Sequence, residues 1–152
     1  MSQMLESIEK ILQNEKFTTY INKDDEIDVL NILLEIDGFK EDLILEIMIV
    51  PDINEQFENT TLIQFFTSIH INDFPNINLS DLDGIESTLN DVNFNLPMGH
   101  FILNKEDNMI YFKYNMFISN SLVESQKTFI ETTWHISYLI DLFTHSILLN
   151  KN

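Results

Sequence analysis

A chain of 152 residues has room for one domain with a core of its own, and 44% apolar residues with 12 Phe set it apart from disordered sequences. Eight Lys and no Arg face 25 Asp and Glu, and the resulting net charge of −17 repels nucleic-acid phosphates and anionic membranes. The same charge favours a basic partner, with plain solubility as the simpler reading, and the absence of Cys removes disulfide frameworks and thiolate metal sites.

No signal peptide is expected, because Glu6, Glu9 and Lys10 interrupt the first apolar residues. No membrane span is expected either. The longest promising run, Thr132 to Ile140, falls well short of the roughly 18–20 residues needed. A soluble, cytoplasmic protein is therefore expected.

In chain order, residues 2–16 predict a helix, with Ser2 as its cap and Leu5, Ile8, Ile11 and Leu12 as an apolar stripe. Residues Thr18 to Glu26 read as a polar connection. Two apolar runs follow, Ile27–Ile36 and Glu41–Val50, around Asp37-Gly38-Phe39-Lys40. The second alternates Leu43, Leu45, Ile47 and Ile49 with more polar positions, a strand pattern. The first fits helix and strand templates about equally, and the Asp-Gly turn decides for a hairpin.

After an acidic loop, Thr61–Ile71 predicts a third strand rich in β-branched and aromatic residues. Ser80 is the expected cap of a helix carrying Leu82, Ile85, Leu89 and Val92 on one face, with Gly84 serving close packing or merely tolerated. Pro97 ends that helix, Met98–Asn104 is a fourth strand, and Lys105–Asn108 a hairpin turn.

In Met109–Ser119, Ile110, Phe112, Tyr114, Met116 and Ile118 share a core face. The opposite face carries Met109, Tyr111, Lys113, Asn115 and Phe117, too apolar for open solvent and too polar for a core. Ser121-Leu122-Val123-Glu124 has the form of a capping box. A final helix of about 28 residues, roughly 42 Å long, would follow with Phe129, Ile130, Thr133, Trp134, Ile136, Ile140, Phe143 and Ile147 on a broad apolar face. That length exceeds the domain, so the helix is expected to kink or to pack against something outside the monomer.

Signals for catalysis are weak. His135 and His145 stand ten residues apart, about 280° around the axis of one helix, and no HExxH spacing occurs. Glu131 and His135 stand at i, i+4 and are candidates to pair. The acidic clusters at Asp24–Asp28 and Asp81–Asp83 do not fit a calcium loop, and read as a solvated loop and a helix start. Three scattered glycines exclude phosphate-cradling loops, and no G-x-S-x-G elbow occurs. No metal or other cofactor is expected.

From Ile71 onward the chain resembles the YbjN family. The features are Leu89-Asn90-Asp91-Val92-Asn93 at a helix end, then Leu96-Pro97-Met98-Gly99-His100-Phe101, the turn Lys105–Asn108, the aromatic strand Met109–Phe117, a Ser-led cap and a long last helix. Met1–Ile71 matches only in element order. The resemblance implies a single α+β domain over residues 1–152, ordered helix–three antiparallel strands–helix–two strands–long helix, with the sheet packed against helices as in type III secretion chaperones. It also implies a non-enzymatic homodimer that binds a segment of another protein.

Tyr111, Lys113 and Phe117 are the expected partner contacts, and Trp134 and Phe143 the expected association surface. An acidic immunity or inhibitor protein for a basic toxin is the alternative, and an enzyme using scattered carboxylates a remoter one.

Overall fold

The computed structural model describes residues 2–51, 53 and 56–149, and of Ser2 only the backbone, so the expected Ser2 cap lies outside what is described. Its elements are α1 (Ser2–Asn14), β1 (Thr19–Asn22), β2 (Val29–Leu34), β3 (Leu43–Ile49), β4 (Thr60–His70), α2 (Leu82–Asn95), β5 (His100–Asn104), β6 (Met109–Ser119) and α3 (Gln126–Phe143). The strands form one antiparallel sheet in the order β1-β2-β3-β4-β6-β5. The class is α+β, as expected.

The sheet's spine is the pair β4 and β6, 11-residue strands in register from Thr60 opposite Ser119 to His70 opposite Met109. Their alternating side chains send Ile63, Phe65, Thr67 and Ile69 of β4, and Ile110, Phe112 and Ile118 of β6, to one face. Leu30, Ile32 and Leu34 of β2 and Leu43, Leu45, Ile47 and Ile49 of β3 join them in the core. The helices close this inner face with Leu5, Ile8 and Leu12 of α1, Leu89 of α2, and Phe129, Ile136, Ile140 and Phe143 of α3. Each such side chain contributes about 1.5–3 kcal/mol on burial.

Four expectations need correction. The connection Thr18–Glu26 contains a short edge strand, β1, which pairs Thr19–Asn22 with Ile32–Val29. It is polar because it has one neighbour and little of it is buried. Helix α2 is capped by Asp81 rather than Ser80: the Asp81 carboxylate accepts from the Gly84 amide at 3.2 Å, and a Cβ at Gly84 would collide with that carboxylate. A larger residue at Gly84 would therefore have to displace the Asp81 cap.

The expected capping box at Ser121 does not form, because Leu122 takes a left-handed conformation (φ 57°) and the helix begins at Gln126. The Oγ of Ser125 instead accepts from the Ser119 amide at 2.7 Å, closing the turn out of β6. The last helix is accordingly shorter than expected. It runs from Gln126 to Phe143 and passes into a π-helical turn, Thr144–Leu148, whose Leu148 is buried in the same core. Its described end packs into the monomer's own core.

The β5 edge of the sheet is closed by a side chain. At β5, the Asn93 side chain of α2 imitates a strand: its Nδ2 donates to the Phe101 carbonyl and its Oδ1 accepts from the Phe101 amide, both at 2.7 Å. That blocks an edge which would otherwise invite strand addition. At the entry to β5, Gly99 has φ 70° and lies so close to the Phe112 ring that a Cβ would overlap it.

Candidate functional site: the outer face of the sheet

The inner face holds the helices; the outer face carries a different population. One row across the sheet reads Tyr20, Asn31, Glu46, Phe66, Lys113 and His100. The rows beside it hold Leu33 paired with Ile44, Ser68 with Tyr111 and Ile102, and Met48 with Gln64 and Asn115. Phe66 and Tyr111, diagonal neighbours on β4 and β6, stack with ring centroids 5.4 Å apart. Gln64 donates to the Met48 sulfur at 3.6 Å. None of Ile44, Met48, Phe66, Ile102 or Tyr111 belongs to the core cluster or packs against it.

Charge is placed around this apolar centre. Glu46 and Lys113 flank Phe66, one strand away on either side, a separation of about 9–10 Å between backbones. Among the described residues neither makes an ion pair. Partial burial pushes the Glu46 carboxyl above the usual carboxylate range. An acid dehydrated by its neighbours and left without a cation is a centre that an incoming cation would stabilise.

Tyr111 and Lys113 thus lie together, half-buried, on this face. Phe117 lies further along it, 51% exposed, in an edge-to-face contact with Phe57 whose ring centroids are 5.5 Å apart. The two residues expected at an association surface part company. Trp134 is 49% exposed on the flank of α3, off the buried stripe, and its ring stands 4.3 Å from Phe17. Phe143 is a correction: it is 4% exposed and stacked on Phe101 at 4.1 Å, inside the core, where it offers nothing to a second copy. Sequence reasoning missed Glu46, Met48 and Phe66. Their signal was present in the alternation of β3 and β4, whose second faces mirror that of β6.

Elsewhere the titratable groups are dispersed. Lys105 bridges Asp83 at 2.8 Å and Glu86 at 2.9 Å, tying the β5–β6 turn to α2, and its hydrogen bond and charge lower the Asp83 carboxyl. The expected Glu131–His135 pair is not among the ion pairs of the described residues; His145 faces Asp141 at 3.4 Å instead. Among the described residues no three His, Asp or Glu side chains gather as a metal-holding group, and no helix is long and apolar enough to cross a membrane.

Together these features define an α+β protein with one packed and one open sheet face. No protein-family model matches the chain, and no curated protein is significantly similar to it.

Proposed function

We propose that the protein is a non-catalytic binding module of the cytoplasm, similar to YbjN proteins and type III secretion chaperones, that holds a segment of a partner protein on its outer sheet face. The observation that carries this reading is the Phe66–Tyr111 stack, set outside the core cluster between Glu46 and Lys113, neither of which makes an ion pair among the described residues. Covering that stack removes apolar surface from water, at about 25 cal/mol per Å². A partner cation opposite Glu46 relieves the carboxylate's dehydration, and the charge of −17 draws basic segments in.

A second copy is a poorer occupant of this face, since each brings −17. A homodimer would therefore form away from this face, and would strengthen with salt. The same charge also suits an acidic inhibitor of a basic toxin. That variant of the reading differs only in what the captured segment belongs to.

The test is co-purification from the native cell, read by mass spectrometry, with wild type beside a Phe66→Ser/Tyr111→Ser double variant. Proteins held by the wild type and lost from the folded double variant support the reading. Identical retention by both sinks it.

A further inference from the structure

On the helical side of the sheet, away from the outer face, the end of α1 and the end of β2 leave a gap. Helix α1 stops in a Schellman motif: the Phe17 amide donates to the Leu12 carbonyl at 3.1 Å and the Lys16 amide to the Gln13 carbonyl at 3.0 Å. The left-handed position that usually falls to Gly is held by Lys16, φ 68°. This turn throws the chain back and sets the Phe17 ring against Trp134, 4.3 Å between centroids. The last rung joining this segment to β2 is the Leu33 amide to the Thr18 carbonyl, 3.0 Å. Beyond it β2 keeps β3 on one side, with Leu34 opposite Leu43, and has lost β1 on the other.

The gap is a groove of about 630 Å³. Leu34 and Ile36 form its buried floor, and the aromatic wall is Phe17, Trp134 and Tyr138, the last 62% exposed. Three carboxylates line it, those of Glu35, Asp42 and Asp141, against one cation, Lys16. Asp141 also faces His145 at 3.4 Å.

We propose that this groove binds a lysine or arginine side chain presented by an extended basic peptide. Aromatic faces attract a cation lying within about 6 Å of the ring centroid, and the carboxylates supply the opposite charge. The aliphatic stem of Lys or Arg matches the Leu34–Ile36 floor, which a bare metal ion would leave uncovered. Past the end of β2, no backbone hydrogen bond among the described residues reaches the backbone groups of Glu35. An extended chain can add there as a further strand. The site stands apart from the Phe66–Tyr111 patch: of the outer-face rows described above it shares only Leu33, at its rim.

The chain's single tryptophan, Trp134, lines this groove, so its own fluorescence reports occupancy. The probe is an acetylated, amidated hexapeptide alternating Val and Lys, beside the same peptide with norleucine for Lys. The Lys peptide should give a saturable change in Trp134 emission and the norleucine peptide none. Glu35→Gln/Asp141→Asn should weaken binding about tenfold. Asp24→Asn/Asp25→Asn, which removes the same charge from an exposed loop, and Phe66→Ser/Tyr111→Ser should leave it unchanged. Circular dichroism confirms that each variant is folded. The proposal is overturned by an absent or unsaturable change, by equal weakening in both charge variants, or by free lysine amide saturating the signal as tightly as the peptide does.

Discussion

The two faces of the sheet are built from the same strands in alternate positions, yet they are packed differently. On β4, Phe65 is fully buried under α3, with its ring 6.0 Å from Phe129, while its neighbour Phe66 looks the other way and stacks on Tyr111. Adjacent in sequence and identical in chemistry, the two phenylalanines are separated by the pleat alone. The inner one stabilises the fold; the outer one is apolar surface the fold does not need. Apolar residues placed where folding gains little from them are a mark of binding.

That difference can be broken at the bench. Phe65→Ala should cost about 3–5 kcal/mol, as large-to-small changes in a packed core do. Phe66→Ala should cost about 1 kcal/mol, the worth of one aromatic pair on a half-open face. Urea denaturation midpoints of the two variants decide it. Equal losses would mean that the outer face is core, and the proposed function would go with it.

The edges of the sheet come next in size. Asn93→Ala removes both hydrogen bonds to Phe101 and should cost about 2–3 kcal/mol, while opening β5 to strand addition, seen as concentration-dependent aggregation. Gly99→Ala should lose about 1–3 kcal/mol by the same denaturation measurement, since it combines a left-handed backbone with overlap of the Phe112 ring. If Asn93→Ala is as stable as wild type, α2 is not what guards that edge.

Much of the inner face was legible in the sequence because burial imposes a period. Leu43 to Ile49 alternates, Leu5, Ile8 and Leu12 recur at helical spacing, and both patterns appear in the fold as read. What escaped lacks a period. Strand β1 is four residues of edge, paired on one side only, so nothing forces apolar alternation on it. The start of α3 was misplaced because Ser121–Glu124 has the letters of a capping box, whereas tertiary contact gives Ser125 another task.

The site was half legible. Tyr111, Lys113 and Phe117 stood out because β6 is long enough for its second face to be compared with its first. Phe66 and Glu46 complete the patch only through strand register, which a single sequence does not contain. Phe143 was misjudged because a helix's apolar stripe looks the same whether a sheet or a second subunit covers it.

The smallest expected effect is also the most discriminating between the faces. Partial burial raises the Glu46 carboxyl above its unfolded value, so the folded state holds this proton more tightly than the unfolded chain does. The stability linked to it is complete below the unfolded value and is lost as pH rises through the folded one. At neutral pH the wild type therefore carries a dehydration cost that Glu46→Gln relieves. Thermal melts should place Glu46→Gln above wild type at pH 7 and level with it below about pH 4, where both side chains are neutral. Comparing the two proteins at each pH cancels the titration of every other acid. A variant that gains stability in isolation and loses hold of the partner would identify Glu46 as a group kept for binding. A variant no more stable than wild type at pH 7 would show that the outer face leaves Glu46 as well hydrated as any surface acid.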